Sequence, residues 1–156
     1  MYTLNRSLKQ FLIFAARQGY ANSETIKKQN QDGSETISLI KDKFRFDDNY
    51  FTSEDGRRFH GREIVYLNEK PYWFMGYSGF VENDANPSEV YRFLKKAMLN
   101  PMDEFPVRGP KELLEDNWRY QITDITGDLS QFTAVEHINL NSRQVYNCYF
   151  IGGIID

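Results

Sequence analysis

The sequence predicts an α+β fold in which two helices pack on an antiparallel β-sheet. Two segments carry apolar residues at helical spacing, and each precedes several short segments in which apolar and polar residues alternate. Part of the first half also recurs, weakly, 73 positions later in the second half. We therefore predict a single domain over residues 1–156, built from two pseudo-repeated helix–β-meander halves of about residues 1–85 and 86–156.

The first predicted helix lies near the beginning of the chain. Its apolar stripe follows the spacing i, i+4, i+7, i+8 and i+11, and consists of Leu4, Leu8, Phe11, Leu12 and Ala15. Gly19 is a typical helix stop. The polar stretch over residues 20–35 is long for a connection, which indicates a functional loop or partial disorder.

Alternating residues predict the strands of the first meander. They are Ile37–Leu39, Phe44–Phe46, Glu63–Leu67 and Tyr72–Tyr77, of which the last two are expected to pair as a hairpin. Residues 47–58 are predicted to form a loop, with Asp55-Gly56 as a turn signal. The strand over residues 72–77 has apolar residues on both faces, so we expect it to be covered on both sides.

The second predicted helix begins at Asn86, which is a typical N-cap and is followed by Pro87 and Glu89 in a capping-box-like start. Its buried stripe is Val90, Phe93, Leu94 and Ala97. Asn100 followed by Pro101 ends the helix. A loop over residues 101–110 and a second meander follow, closing with a hairpin of residues 132–140 and 145–151.

The proposed repeat rests on five identities between the two halves. Phe59, Glu63, Leu67, Asn68 and Gly79 recur as Phe132, Glu136, Leu140, Asn141 and Gly152. A structural duplication explains this recurrence. The alternative is that any two aromatic-rich hairpins share such a pattern.

Charge and composition argue against several classes of function. The net charge of −3 and the absence of a clustered basic patch argue against a nucleic-acid-binding surface. The apolar run in the first helix is too short for a membrane span or a signal peptide. The single cysteine, Cys148, fits a reducing compartment. We predict a cytoplasmic protein with no nucleic-acid partner and no membrane association.

The motifs predict neither a cofactor nor a metal. No glycine pattern is typical of a phosphate loop, and His60 and His137 lack the spacing of metal ligands. Cys148 with His137 as base is a weak nucleophile candidate, because a cysteine among aromatic strand residues is more often buried and inert. We therefore expect no cofactor and no metal.

Two carboxylates are weak catalytic candidates. Glu63 and Glu136 occupy equivalent places in the proposed halves, and a pair facing one cleft is able to serve as acid and base. The alternative is that both lie on solvated strand faces or pair with Arg45 and Arg119.

An aromatic surface is the more plausible functional feature. The chain contains twelve Phe, ten Tyr and two Trp, and flat rings supply stacking area at low entropic cost. The candidate ligand-binding residues are Tyr50, Arg58, Arg62, Trp73 and Tyr77, with the arginines placed to orient an anionic group. The alternative is that Trp73 and Tyr77 belong to the core.

The chain resembles an uncharacterised bacterial domain family. The segments that carry the resemblance are Phe11–Ala15, Phe44–Phe51, Gly61–Val65, Pro71–Gly79 and Arg108-Gly109-Pro110. The family occurs alone or fused to helix-turn-helix transcriptional regulators of the XRE type. The resemblance implies a domain that senses a ligand, and it implies no assigned chemistry.

The leading functional prediction is a small-molecule-binding or sensory domain without catalysis. The first alternative is a hydrolase-like enzyme that uses Glu63 and Glu136. The second is a homodimeric interaction module, with exposed strand edges and tyrosines as its interface. Whether the protein is an enzyme stays open, although the missing catalytic constellation favours a non-enzyme.

Overall fold

The computed structural model describes the backbone of residues 2–156 and the side chains from Asn5 onward. Within this range the helices are α1 (Tyr2–Gln18) and α2 (Pro87–Met98). The strands are β1 (Lys28–Gln29), β2 (Glu35–Lys41), β3 (Phe44–Thr52), β4 (Arg58–Leu67), β5 (Lys70–Val81), β6 (Glu112–Glu115), β7 (Trp118–Asp128), β8 (Gln131–Leu140) and β9 (Arg143–Ile154).

The strands described form one antiparallel sheet of nine strands, in the order β1-β2-β3-β4-β5-β9-β8-β7-β6. Each strand from β1 to β5 pairs with its neighbour in the chain, and the same holds from β6 to β9. The two meanders meet where β5 pairs with β9, from Trp73 opposite Ile154 to Val81 opposite Tyr146.

One face of the sheet carries the core, and both helices pack on it. The Phe11 ring of α1 stacks on Phe44 of β3 with centroids 5.0 Å apart. Phe93 of α2 meets Trp118 of β7 at 5.3 Å. Phe105, in the segment between α2 and β6, contacts Phe132 of β8 edge-on at 5.2 Å. This segment therefore acts as a third covering element, beside the two helices.

The predicted α+β class with two helix–meander halves is wrong, because a continuous nine-stranded sheet dominates the structure. Nine residue pairs between β5 and β9 join the two halves that the sequence analysis separates near residue 85 into one sheet. Strands also extend into predicted loops: β3 continues to Thr52, and β1 lies within the polar stretch over residues 20–35. Backbone hydrogen bonding in these segments outweighs their turn-like composition.

The predicted double cover of the β5 strand is also not found. Trp73 and Met75 are fully buried on the core face. Tyr72, which the prediction places on the other face with Phe74, is buried, but Phe74 is only partly buried and Ser78 is exposed. Both described helices lie on one side, so neither of them covers the opposite face of the sheet.

Both predicted helices are present. In α2 the Asn86 side chain accepts a hydrogen bond from the Ser88 backbone N–H at 3.0 Å, with Pro87 at the first helical position. In α1, Leu8, Leu12 and Ala15 are buried as expected. Leu4, which the pattern places on the same stripe, lies outside the described side chains. Neither helix is long and apolar enough, over its described residues, to cross a membrane.

Candidate functional site

A cavity of about 300 Å³ lies between the core face of the sheet and α2. Five aromatic rings line it, from the loop after α1, from β3, β4 and β5, and from α2: Tyr20, Tyr50, Phe59, Tyr77 and Tyr91. Five charged side chains also line it: Lys27, Glu35, Asp48, Lys95 and Arg108. Its volume is at the lower end of the range of about 300–1,000 Å³ that small-molecule sites occupy. The cavity is therefore sized for a compact organic molecule.

Strand alternation brings the polar groups of β3 to this cavity. Phe46, Asp48 and Tyr50 point to the covered face because successive side chains of a strand alternate between faces. Asp48 lies directly opposite Glu63 of β4. The two carboxyl groups thus belong to one cross-strand pair on the buried face.

Gly61 makes room for two tyrosines beside this pair. It lies opposite both Tyr50 and Tyr77 in the register of the three strands. A Cβ atom at Gly61 would come within 2.5 Å of the Tyr77 ring and 2.7 Å of Tyr50 Cβ. The missing side chain lets both rings line the cavity.

The deep end of the cavity is acidic. Tyr77 Oη donates a hydrogen bond to Asp48 Oδ1 at 2.6 Å, and burial raises the pKa of Asp48 to about 6 against the opposing effects of Tyr77 and Arg108. Glu63 is only 6% exposed. Within the described part of the chain its carboxyl group makes no hydrogen bond or ion pair. Burial, and then the Asp48 charge, hold the pKa of Glu63 well above its ordinary value.

A second, smaller cavity of about 20 Å³ continues from this end. Asp48 and Tyr20 line both cavities, and Glu63 lines the smaller one. Apolar side chains, including Phe46 and Met98, close its other sides. The small cavity, here called the annex, is therefore an apolar pocket with two carboxyl groups in its wall.

Arg108 contributes the neighbouring positive charge, but it is committed to Glu136. Arg108 Nε and Nη2 donate to Glu136 Oε2 and Oε1 at 3.2 and 3.0 Å. Tyr120 and Tyr146 donate to the same carboxylate at 2.5 and 2.7 Å. Glu136 is fully buried, so this bidentate pair is closed to solvent.

The outer end of the cavity carries two lysines. Lys27 Nζ lies 3.8 Å from Glu35 Oε2, and Tyr50 Oη donates to the same oxygen at 2.6 Å. Lys95 Nζ lies 5.2 Å from the centroid of the Tyr20 ring and has no ion pair among the described residues. Burial, and then the charge of Lys27, lower the pKa of Lys95. An anionic group at this end would favour the charged form of Lys95 and so raise its pKa.

The structure brings together only part of the predicted ligand-binding set. Tyr50 and Tyr77 line the cavity. Trp73 is fully buried in the core, where its Nε1 donates to the Leu129 carbonyl at 3.2 Å. Arg58 and Arg62 are exposed, and they alternate with Phe59 and Glu63 along β4, which puts them on the open face.

The two glutamates named as catalytic candidates are both buried, but they lie apart. Glu63 is on β4 and Glu136 on β8, with β5 and β9 between them. Neither pairs with the arginines considered for them. Arg45 pairs with Asp47 and Glu69, and Arg119 with Glu112, 2.7 Å away.

The cysteine and the two histidines considered as catalytic or metal-binding residues do not form a site. Burial raises the pKa of Cys148 to about 12, so its thiol is inert at neutral pH. His60 Nδ1 lies 2.9 Å from Ser78 Oγ, and His137 Nε2 3.1 Å from Thr123 Oγ1. Among the residues the structure describes, no group of three His, Cys, Asp or Glu is arranged to hold a metal.

Sequence reasoning missed most of the cavity. Tyr20 and Lys27 fall in the segment read as a loop, and Arg108 in the Pro-containing loop. Asp48 falls in the predicted loop over residues 47–58. The signal that finds it is its alternation with Phe46 and Tyr50, which is a strand pattern with one charged residue on the apolar face.

Comparison with curated proteins found no match, and comparison with solved structures found none either. A family model matches residues 48–155, and it describes a domain of unknown function, DUF5680. The matched range includes Asp48, Glu63 and Arg108, while α1 and the loop that carries Tyr20 and Lys27 precede it. Because the match covers well over half of its length, the chain belongs to the DUF5680 family.

Proposed function

We propose that this protein binds a small organic molecule in the main cavity and acts as a binding or sensory domain. The observation that carries the proposal is the cavity of about 300 Å³, which five aromatic rings line together with a few charged side chains. A concave, mainly apolar pocket with a few convergent polar groups is the usual form of a ligand site. The resemblance to a domain found beside bacterial helix-turn-helix regulators agrees with a sensory role.

The lining indicates the general shape of the ligand. Tyr50, Tyr77 and Tyr91 offer ring faces and edges for a flat body. Lys95, without an ion pair among the described residues and close to Lys27, favours a carboxylate or phosphate at the outer end. We therefore expect a compact molecule with a flat or apolar body and an acidic group.

The hydrolase-like alternative has less support. Glu136 is fully buried, held by Arg108 and two tyrosines, and it lines none of the cavities described above. A group sealed in this way has no route to a substrate. The homodimeric interpretation stays a prediction, and light scattering over a range of protein concentrations tests it.

The proposal is tested by narrowing the cavity from its rim. Thr52 is exposed and lines the cavity, so Thr52→Trp is expected to obstruct it without disturbing the core. Gln131→Trp, at an exposed position of β8 outside the cavity, is the matched control. Native mass spectrometry detects co-purified ligand, and a thermal-shift screen of small acids, amines and heteroaromatic compounds detects added ligand.

The expected result is one or more compounds that bind the unchanged protein and Gln131→Trp but bind Thr52→Trp at least about tenfold more weakly. Equal binding to all three proteins would place the ligand elsewhere. A protein without added mass that responds to no compound in the screen would contradict the proposal.

A further inference from the structure

The Asp48–Glu63 pair is an unusual feature for the wall of an apolar pocket. The two residues face each other across β3 and β4, and they are 4% and 6% exposed. Asp48 accepts one hydrogen bond, from Tyr77. Glu63 has no side-chain partner among the described residues, although a buried polar group normally has at least one. A polar group of this kind calls for a partner that enters from outside the chain.

Among the described residues, the cations around the pair are engaged with other carboxylates. Arg108 and Glu136 face it from the covering segment and from β8, but they form a bidentate pair that is neutral as a unit. Lys27 lies at the outer end of the main cavity, within 3.8 Å of Glu35. Tyr77 and Tyr20 supply hydroxyl groups and no positive charge. Within the part of the chain that the structure describes, Asp48 and Glu63 therefore have no cation of their own.

The annex has a size that suits a small polar head group. Its volume of about 20 Å³ admits one water-sized group and little more. An ammonium group is close to water in size and donates up to three hydrogen bonds. Two carboxyl groups in the wall of a small pocket supply the acceptors for such a donor.

We propose that Asp48 and Glu63 recognise a protonated nitrogen at the deep end of the ligand, so that the molecule bound in the main cavity is an amine. This inference rests on the proposed binding function and names the chemical class of its ligand. Together with an acidic group at Lys95, it describes an amphoteric molecule with its charged groups at opposite ends of a flat body. The carboxyl pair selects the nitrogen, and the tyrosines hold the body.

The test compares probes that differ only at the deep end. The first set is 4-(aminomethyl)benzoate and 4-(2-aminoethyl)benzoate, which differ in length. The second set is the two alcohols in which a hydroxyl group replaces each amine. Isothermal titration calorimetry measures both sets against the full chain. Native mass spectrometry identifies the molecule that co-purifies with the protein.

Two variants connect the preference to the carboxyl pair. Glu63→Gln keeps the shape of the side chain and removes its charge, and Asp48→Asn does the same for its partner. Glu112→Gln, at an exposed carboxylate that pairs with Arg119 on the far side of the sheet, is the matched control. Far-UV circular dichroism verifies that each variant is folded. If Glu63→Gln does not fold, the binding measurements are made with Asp48→Asn instead.

We expect at least one amine to bind on the order of tenfold or more tightly than its matched alcohol, since a buried charge-assisted hydrogen bond is lost in the alcohol. Glu63→Gln should abolish this preference, and Glu112→Gln should retain it. An alcohol or a neutral co-purified ligand that binds as well as the amines would overturn the amine assignment and leave the binding function intact. Failure of all four probes to bind would overturn the assignment for this class of amines, while the thermal-shift screen decides the binding function separately.

Discussion

At the scale of single residues, Asp48 shows how a strand sets the chemistry of a side chain. Its alternation with Phe46 and Tyr50 forces the carboxyl group onto the covered face, and burial then raises its pKa to about 6. An unfolded chain would titrate the same group near 3.8. Folding therefore favours the protonated form of Asp48, and of Glu63 beside it.

This difference predicts how stability depends on pH. Because the folded-state pKa is raised, the stabilising contribution is complete below the unfolded pKa and is lost as pH rises through about 6. Asp48→Asn removes this loss. The free energy of unfolding of the variant, relative to that of the unchanged protein, should therefore rise by about 2–3 kcal/mol as the pH increases from 4 to 8. Urea unfolding at several pH values measures it. Carboxylates whose pKa is lowered, such as Asp32 and Asp55, are present in both proteins, so their contributions cancel in the difference between the two unfolding free energies.

The neighbouring Asp47→Asn is the control for this prediction. Asp47 lies on the opposite face of β3, where it pairs with Arg45. Its substitution should leave in place the loss of stability between pH 4 and pH 8 that we assign to Asp48. A difference between Asp48→Asn and the unchanged protein that stays constant from pH 4 to pH 8 would show that Asp48 does not titrate as described.

Gly61 gives a second prediction at this scale. Gly61→Ala forces a Cβ against Tyr50 Cβ and the Tyr77 ring, so we expect a loss of about 1–3 kcal/mol in the free energy of unfolding. Gly76→Ala is the matched control on the adjacent strand, where the nearest atoms of the Phe74 ring are 3.4 Å from the added carbon. Chemical denaturation should find the control within about 0.5 kcal/mol of the unchanged protein. Equal effects would mean that Gly61 does not separate the two tyrosines.

At the scale of elements, α2 supplies Tyr91 and Lys95 to the cavity, and its first turn depends on the Asn86 cap. Asn86→Ala should cost about 1 kcal/mol because the Ser88 N–H loses its acceptor. Asn83→Ala, at an exposed position in the preceding turn, should cost much less. Thermal unfolding compares the two. Ligand binding should weaken only in Asn86→Ala, since fraying reaches the residues that line the cavity.

How far the sequence predicts an element depends on whether its signal is local. The cap and stripe of α2 are local, and they locate the helix correctly from Asn86 to Met98. The pairing of β5 with β9 joins residues about 70 positions apart along the chain, and no local pattern specifies such a partner. The sequence therefore did not predict the continuous sheet. The opposition of Asp48 and Glu63 belongs to the neighbouring strands β3 and β4, and it was missed because residues 47–58 are polar enough to predict a loop. Arg108 was missed because only the folded chain brings it to Glu136.

At the scale of the whole molecule, the Arg108–Glu136 ion pair links the covering segment between α2 and β6 to β8 of the sheet. Gly109 N–H donates to Tyr120 Oη at 3.0 Å, and Tyr120 donates in turn to Glu136. The segment thus closes the cavity through a polar network rather than through apolar contact alone. Removing one charge from such a network leaves the other buried without its partner.

This network gives the last prediction. Arg108→Met should lower the free energy of unfolding by about 3–5 kcal/mol, because Glu136 then keeps a buried charge with only hydroxyl partners. Arg108→Met with Glu136→Gln removes both charges, so the double variant should lose about 1–3 kcal/mol less than the sum of the single variants. Urea denaturation of all four proteins completes the cycle.

The exposed pair of Arg119 and Glu112 is the control, and Arg119→Met should cost less than about 1 kcal/mol. If Arg108→Met costs no more than Arg119→Met, the buried pair does not hold the covering segment. If the single variants at Arg108 and Glu136 are simply additive, the two side chains act independently and the cavity wall owes its position to Phe105 and its apolar neighbours.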